Sequence, residues 1–401
     1  MMREILITLY LTVFKVLFNI FKMFPLKNKV TFTVSFGDNS KYVYDEIRRK
    51  DIDVEVAVLY KGAAGSHFQE CRDIDLIPFE SGNLASFLKS IYHLATSKYI
   101  IIDNYFGFLA VTDFKEGTEC IQLWHASGAL KKFGLEDQSV KYRSKRAQER
   151  FLRVYDKFDK VIVGSDVMAN IFMNAFNLPQ ERILRTGIPR TDFFYDERTQ
   201  NQIIDTLIKE NPVLKYKKKV LYAPTYRDNQ LDEFKMELEL DEMSRELGED
   251  YVVLLRLHPA IKGTVDYSEL YPGFVYNYSS SKYDINELLL IANYLITDYS
   301  SIPYEFSLLN KPMIFFAYDL EQYKKERGLM DNYEHTVPGP VVNHTKDIIA
   351  LIKEDNFNLE EIKEYAAKWN RYSAGHSSEN LVGYLFEKEA VISEGQRRTA
   401  L

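Results

Sequence analysis

Two histidines follow apolar runs that are typical of buried strands. His125 comes directly after residues 120–124, and His258 follows residues 251–256. A histidine at the end of a strand can remove a proton from an attacking hydroxyl or donate a hydrogen bond to a phosphate. We predict that both act in catalysis, because loops at strand ends often carry function. A structural role is the alternative for each.

A third apolar run is followed by residues suited to binding a phosphate. Thr297 ends the run and Asp298 follows it, while Ser300, Ser301 and a proline are typical of a helix start. The unpaired N–H groups and the positive dipole end of a helix start favour a bound anion. We predict that these four residues contact a diphosphate. An ordinary helix cap is the alternative.

Three basic side chains complete the predicted site. Arg227 follows the apolar run 220–223, and its forked donors match phosphate oxygens. A surface ion pair with Asp228 is the alternative role for Arg227. Lys131 and Lys132 lie shortly after His125 and are predicted to bind substrate.

Short apolar runs alternate with helical patterns through most of the chain. The predicted strands form two series, at residues 30–36, 54–59, 99–103, 120–124, 161–163 and 183–186, and at 220–223, 252–256, 294–297 and 313–316. This pattern predicts an α/β protein with two Rossmann-like domains that face a cleft, with ligands at the carboxyl ends of the strands. The predicted bounds are residues 28–195 for the N-terminal domain and 196–372 for the C-terminal domain. Residues 373–401 are predicted to be helical, and packing back on the N-terminal domain is one option for them.

Residues 1–27 are predicted to form an amphipathic helix at a membrane surface. An apolar stripe falls at helical spacing over residues 6–24, but Lys15, Asn19 and Lys22 interrupt the segment. A lysine in mid-membrane is costly, so a helix lying in the interface is favoured over a spanning one. A helix packed on the protein's own core is the alternative. A signal peptide fits less well, because no small-residue cleavage site is present.

Composition narrows the class of protein. The 401 residues include 46% hydrophobic side chains, carry a formal charge of -7 and contain two cysteines. These values favour a globular protein in a reducing compartment and argue against a nucleic-acid partner. No spacing typical of metal ligands occurs, so we predict neither a metal nor a cofactor. A basic run at residues 141–153 is either a solvated helix face or a contact for anionic lipid headgroups or a lipid diphosphate.

Five separated motifs resemble the CDP-glycerol glycerophosphotransferases of teichoic acid synthesis. They are LWHASGALKKFG at residues 123–134, GIPR at 187–190, LYAPTYRD at 221–228, LHP at 257–259 and the segment 296–319. The resemblance extends from about residue 30 to residue 380. Elongating polymerases of this family usually carry Gly-Thr after the motif histidine. This chain has Ala126, Ser127 and Gly128, and is similar to the glycerol-phosphate primases of the family.

The resemblance implies a fold of the GT-B type and a specific reaction. CDP-glycerol is the implied donor, and an undecaprenyl-diphosphate-linked disaccharide ending in N-acetylmannosamine is the implied acceptor. One sn-glycerol 3-phosphate unit is transferred and CMP leaves, in synthesis of the wall teichoic acid linkage unit. The resemblance makes His125 the base and assigns His258, Ser300 and Ser301 to the donor phosphates. It implies a peripheral enzyme on the cytoplasmic face of the cell membrane of a Gram-positive-type bacterium.

Several alternatives remain open at this point. Within the family, a glycerol-phosphate polymerase or a second-step transferase would differ in the number or position of the units added. A sugar-nucleotide glycosyltransferase of similar fold is the alternative from another enzyme class, and a membrane-surface scaffold is the non-catalytic one. Other teichoic acid enzymes and a second copy of the chain remain open as partners.

Overall fold

The computed structural model describes residues 2–232, 234–263, 265–327, 329 and 332–398. The chain divides into two compact units. Unit 1 contains the residues up to Ser127, then Phe133–Asp192, and then the residues from Arg371 onward. Unit 2 contains Gly128–Lys132 and Phe193–Asn370.

Unit 1 is built on a seven-stranded parallel sheet. Its strands are β1 (Lys27–Val34), β2 (Glu55–Tyr60), β3 (Asp75–Pro78), β4 (Ser97–Ile102), β5 (Glu119–Gln122), β6 (Lys160–Ile162) and β7 (Ile183–Leu184). They lie in the order β3-β2-β1-β4-β5-β6-β7. The strand order therefore reverses between β1 and β4. Ligands of doubly wound sheets bind at such a reversal, outside the carboxyl ends of the strands.

Six helices surround this sheet. They are α1 (Met2–Phe21), α2 (Asp38–Arg49), α3 (Leu84–Thr96), α4 (Lys145–Tyr155), α5 (Asp166–Phe176) and, at the end of the chain, α15 (Ser377–Arg398). The central strands β1 and β4 are buried along most of their length because helices cover both sides of the sheet. Leu381, Val382 and Leu385 of α15 are buried in the same hydrophobic core as Val30 and Phe32 of β1. The C-terminal helix is thus part of the core of unit 1.

Helix α1 has two apolar faces. Leu11, Phe14 and Phe18 form the buried face, and Phe14 packs against Phe108 with ring centroids 5.2 Å apart. The opposite face is exposed and carries Leu9 together with other large apolar side chains, which are Ile5, Leu6, Val13, Val16 and Ile20. By length and composition, residues Glu4–Phe21 could cross a membrane. The apolar stripe predicted from the sequence lies mostly on the exposed face.

Unit 2 is built on a six-stranded parallel sheet. Its strands are β8 (Lys218–Tyr222), β9 (Tyr251–Leu255), β10 (Val275–Asn277), β11 (Tyr294–Thr297), β12 (Met313–Phe316) and β13 (Val341–Val342). They lie in the order β10-β9-β8-β11-β12-β13, and this order reverses between β8 and β11. The helices are α6 (Glu197–Glu210), α7 (Leu240–Leu247), α8 (Tyr267–Leu270), α9 (Ile285–Ile291), α10 (Ile302–Phe306), α11 (Leu320–Arg327), α12 (Tyr333–Thr336), α13 (Thr345–Glu354) and α14 (Leu359–Trp369).

The prediction of an α/β protein with two parallel sheets is confirmed. Every strand predicted from the sequence is present, and no bound differs by more than three residues. Three strands were not predicted, namely β3, β10 and β13. Each of them is the edge strand of its sheet.

Candidate active site

His125 lies at the carboxyl end of β5 in unit 1, with an aromatic ring on each face. The ring of Phe36 stacks on it at a centroid distance of 4.2 Å and an interplanar angle of 13°, and Trp124 stacks at 4.5 Å and 29°. Trp124 has a φ of 58°, in the left-handed region that non-glycine residues seldom adopt. Such local strain is characteristic of functional sites, and here it sets the direction in which His125 leaves the strand.

The imidazole of His125 is held as a neutral ring with one nitrogen unpaired. Burial, followed by the positive charge of Arg190, lowers the pKa of His125 to about 4, and a hydrogen bond to the backbone of Asp103 opposes this shift. Among the described residues, the buried Nδ1 has no hydrogen-bond partner. This assigns the bonded proton to Nε2 and leaves a lone pair on Nδ1, the form in which a histidine acts as a base.

Asp103 fixes the loop that carries Phe36. Its carboxylate accepts hydrogen bonds from the backbone N–H groups of Ser35, Phe36 and Gly37 at 2.8–2.9 Å. Gly37 has a φ of 96°, which suits glycine, and a Cβ there would lie 2.8 Å from the ring of His67. Burial raises the pKa of Asp103, while the bonds from these N–H groups oppose that effect. The carboxylate thus joins the ends of β1 and β4 at the point where the strand order reverses.

A second set of hydrogen bonds fixes the backbone on either side of the His125 ring. Asn39 Nδ2 donates to the carbonyl of Trp124 at 3.0 Å, and Asn39 Oδ1 accepts from the backbone N–H of Arg190 at 3.0 Å. Arg190 Nη1 donates to the carbonyl of His125 at 2.9 Å. Asn39 and Arg190 therefore position the histidine without contacting its imidazole nitrogens.

In unit 2, polar residues follow the four adjacent strands β9, β8, β11 and β12, at one edge of the sheet. Asp298 follows β11 and is buried, and its Oδ1 accepts from the backbone N–H groups of Thr225 at 2.8 Å and Tyr299 at 2.7 Å. Tyr333 donates its hydroxyl hydrogen to the backbone carbonyl of Asp298 at 2.7 Å. Asp298 thus organises the loops after β8 and β11 and is too enclosed for the phosphate contact expected from the sequence.

Arg227 has a structural role as the buried partner of two carboxylates, and its predicted phosphate contact stays a prediction. Its Nε donates to Asp319 Oδ2 at 2.7 Å, and its Nη2 donates to Asp298 Oδ2 at 3.0 Å and Asp319 Oδ1 at 2.9 Å. Its Nη1 donates to the carbonyl of Thr225 at 2.7 Å. The side chain is 9% exposed. The two aspartates lie 71 and 92 positions away from Arg227 along the chain, so the sequence pattern did not reveal them as its partners.

Thr297 also has a structural role instead of the predicted substrate contact. Its side chain is fully buried, and its hydroxyl donates to the carbonyl of Ala223 at 2.7 Å. Ser300 and Ser301 are only partly buried. The hydroxyl of Ser300 accepts from the N–H of Ile302 at 3.0 Å, whereas Ser301 makes no side-chain capping bond to α10. Of the predicted phosphate contacts on this loop, the two serines are the accessible ones.

His258 and Lys131 lie close together in unit 2. His258 is exposed after β9, and its Nδ1 accepts from the N–H of Ala260 at 3.1 Å. Partial burial, followed by the charges of Lys131 and Arg256, lowers the pKa of His258. The Nζ of Lys131 lies 5.1 Å from the ring centroid of Tyr323, which stacks on Tyr299. The histidine and the lysine therefore flank the loop that begins at Asp298.

The remaining predicted contacts are less constrained. Lys132 is exposed, and no described residue pairs with it to fix its orientation. Within the ranges that the structure describes, no group of three or more histidine, cysteine, aspartate or glutamate side chains is arranged to hold a metal ion.

Several residues that support His125 were missed by the sequence-based prediction of the site. Arg190 lies in the GIPR motif, but no role was assigned to it, and Asp103 lies outside the five motifs. Asn39 and Phe36 lie outside the five motifs. The position of Asp103 in the sequence could have identified it. Asp103 follows the apolar residues 99–102, just as His125 follows the predicted strand 120–124. The strand-end rule applied to every predicted strand would have found it.

The fold and the two strand-end clusters define an α/β protein with two parallel sheets and candidate ligand sites at their strand reversals. The family model of CDP-glycerol:poly(glycerophosphate) glycerophosphotransferases matches residues 16–387. The chain belongs to this family, and it is therefore a glycerophosphotransferase.

Three known proteins show the range of this similarity. The teichoic acid glycerol-phosphate primase of Bacillus subtilis strain 168 is 38% identical over 361 residues, which are 90% of this chain and 92% of the relative. The primase of Bacillus spizizenii strain W23 is 33% identical over 90% of this chain and 93% of the relative. A variant of the wall teichoic acid polymerase TagF has a similar fold, with a TM-score of 0.77 and 22% identity, covering 98% of this chain and 99% of that chain.

Proposed function

We propose that this protein transfers one sn-glycerol 3-phosphate unit from CDP-glycerol to a lipid-linked acceptor in wall teichoic acid synthesis. The acceptor is the N-acetylmannosamine of an undecaprenyl-diphosphate-linked disaccharide, and CMP is released. The unpaired Nδ1 of the stacked, neutral His125 ring is the observation that carries the proposed chemistry. The similarity to two glycerol-phosphate primases and the sequence Ala126-Ser127-Gly128 support the addition of a single unit.

The proposed reaction is a single displacement at phosphorus. The acceptor hydroxyl gives its proton to Nδ1 of His125, and its oxygen attacks the phosphorus that bears the glycerol. The bond from this phosphorus to the oxygen of the CMP phosphate breaks, and CMP leaves with that electron pair. Because the ring is neutral before the reaction, it can accept the proton without first losing one.

The donor is proposed to bind at the strand ends of unit 2. Ser300 and Ser301 offer accessible hydroxyls. On the neighbouring loops, His258 offers an N–H donor and Lys131 offers a positive charge. These groups would stabilise the charge that develops on the leaving phosphate. Arg227 and Asp298 support this site by fixing the loops that carry its accessible groups.

Offering different nucleotide donors tests the proposed substrate. CDP-glycerol and sugar nucleotides such as UDP-N-acetylglucosamine would be incubated side by side with a short-chain analogue of the lipid disaccharide. We expect a product only with CDP-glycerol, together with CMP in equal amount. A glycosylated product would instead indicate a sugar-nucleotide glycosyltransferase. Donor binding without any product would indicate the non-catalytic scaffold.

The protein is further proposed to attach to the cytoplasmic face of the cell membrane through α1. The exposed face of this helix carries six large apolar side chains, while the opposite face is anchored in unit 1 by Phe14 and Phe18. A helix with one face anchored in the protein can place its other face at the boundary between headgroups and acyl chains. Interfacial attachment is therefore favoured over a helix that crosses the membrane.

Point substitutions on this face test membrane attachment without disturbing the core. Leu9→Gln with Ile20→Gln should lower binding to lipid vesicles by roughly 10-fold or more, because two half-exposed apolar side chains no longer enter the bilayer. Vesicle co-sedimentation measures the effect. Val265→Gln with Leu270→Gln is a matched control, since these side chains in unit 2 are 53% and 59% exposed. Equal binding of both double variants would show that α1 does not contact the membrane.

A further inference from the structure

A groove between α1 and α4 in unit 1 is lined by cationic side chains. Lys15 comes from α1, and Arg146, Arg150 and Arg153 come from α4. The groove has a volume of about 360 Å³. The spacing of the three arginines places them at helical positions i, i+4 and i+7, which lie on one face of α4. We refer to this site as the α1/α4 groove.

The groove has an excess of positive charge that would suit a doubly charged anion. Glu149 also lines it and lies 3.6 Å from Arg153, and Glu4 lies 3.3 Å from Arg150. Two positive charges remain after these carboxylates are counted. The ion pair of Arg153 with Glu149 is exposed to solvent, and such pairs are weak enough for another anion to compete.

The α1/α4 groove adjoins the exposed apolar face of α1. Val16 belongs to both, because it lines the groove and is 54% exposed on the same face as Leu9 and Val13. A lipid whose chain lies along this face would therefore bring its phosphates to the arginines. Neither a soluble anion nor a neutral lipid would satisfy both surfaces.

A short path inside unit 1 connects this groove with His125. The charge of Arg150 acts on the Tyr105 hydroxyl and opposes the rise in its pKa that burial causes. The Tyr105 ring packs on Phe151 of α4 with ring centroids 5.3 Å apart. Tyr105 lies two residues after Asp103, whose backbone is bonded to the His125 ring. Two residues of extended chain span only about 7 Å. A group bound in the groove is thus held near the loop that positions the proposed base.

We infer that the α1/α4 groove binds the diphosphate of the lipid-linked acceptor while the lipid chain lies along the exposed face of α1. This inference rests on the proposed function, because it locates the acceptor of that reaction. The groove holds the acceptor by its diphosphate, and the attached sugar extends toward His125. The lipid is recognised by its two phosphates and its chain together, so a bilayer phospholipid with one phosphate binds more weakly.

Vesicle binding without any donor tests this inference. Phosphatidylcholine vesicles would be doped either with an isoprenyl diphosphate or with phosphatidylglycerol, matched for surface charge. We expect tighter binding to the diphosphate vesicles. Arg146→Gln with Arg153→Gln should lower that binding about 10- to 30-fold, because each basic residue near an anionic surface adds to the free energy of binding. Both side chains are exposed, so the thermal unfolding midpoint should not change.

The control removes the same charge elsewhere in unit 1. Arg72→Gln with Lys89→Gln replaces two exposed cations outside the groove and should change binding less than about 3-fold. Equal losses in the two double variants would overturn the inference. So would an equal loss on both kinds of vesicle, since the groove would then respond to surface charge alone. Because no turnover is measured, failure of the proposed reaction would leave this result intact. Equal losses in the vesicle assay, together with product formation from CDP-glycerol in the donor assay, would overturn the groove and leave the proposed reaction in place.

Discussion

Replacing His125 with alanine should lower turnover about 100-fold or more while CDP-glycerol still binds. The substitution removes the ring whose unpaired Nδ1 is proposed to take the acceptor proton. The donor groups lie on other strand ends, in unit 2, and are untouched. Single-turnover kinetics with the acceptor analogue and calorimetry with CDP-glycerol measure the two quantities separately.

Two further variants make the result specific. His376→Ala removes a histidine of unit 1 that is exposed, and turnover should stay within about twofold of the unmodified protein. His258→Ala should instead weaken donor binding, because this residue is assigned to the donor phosphates. Near-normal turnover of His125→Ala would show that His125 is not the base. Unchanged donor handling in His258→Ala would show that the phosphate site is misplaced.

Replacing Arg227 with methionine should lower the free energy of unfolding of unit 2 by about 3–5 kcal/mol. Methionine keeps much of the length of the side chain but leaves the carboxylates of Asp298 and Asp319 without their cationic partner. Asp298 is 2% exposed, so water cannot replace the lost charge. Hydrogen exchange in increasing denaturant, followed on peptides of β8 and β11, resolves this unit from the other one.

Arg185→Met is the matched control for this measurement. Arg185 Nε lies 2.9 Å from Asp166 Oδ1, a distance similar to those of Arg227, but the two side chains are 33% and 45% exposed. Its loss should cost less than about 1 kcal/mol in unit 1. If Arg227→Met instead kept the stability of unit 2 and lost only donor binding, Arg227 would be the direct phosphate contact that its sequence position suggested.

The fold could be predicted where strands are long, apolar and central. Residues 99–102 are buried in β4 and contain no charged side chain, so this part of the chain was recognised as a strand. The missed strands β3, β10 and β13 have two to four residues each and lie at sheet edges. An edge strand is covered on fewer sides, and its sequence is correspondingly less apolar.

The candidate site could be predicted only in part, for a physical reason. The sequence indicates which residues follow a strand, and the geometry of parallel sheets brings those residues to one edge. This was enough to select His125, His258 and Ser301. The sequence does not indicate whether an N–H group already has a partner within the protein, as the guanidinium of Arg227 has in Asp298 and Asp319. A guanidinium suits a carboxylate as well as it suits a phosphate.

The stripe on α1 shows a similar limit. Helical spacing identified an apolar face correctly, but spacing alone cannot distinguish a face that packs on the protein from one that is exposed. Phe14 and Phe18 lie outside the predicted stripe and are the residues that anchor the helix. The exposed stripe remains available for a membrane surface.

The mass of the product under excess CDP-glycerol and long incubation tests the central claim most directly. The acceptor would be a short-chain analogue of the lipid-linked disaccharide, and the product would be followed over time. We predict a single product, heavier than the acceptor by one glycerol phosphate unit. A site that positions a sugar hydroxyl aligns a flexible glycerol end poorly, and misalignment alone can lower the rate about 100-fold. A ladder of many units would contradict this account and show that the protein is a polymerase.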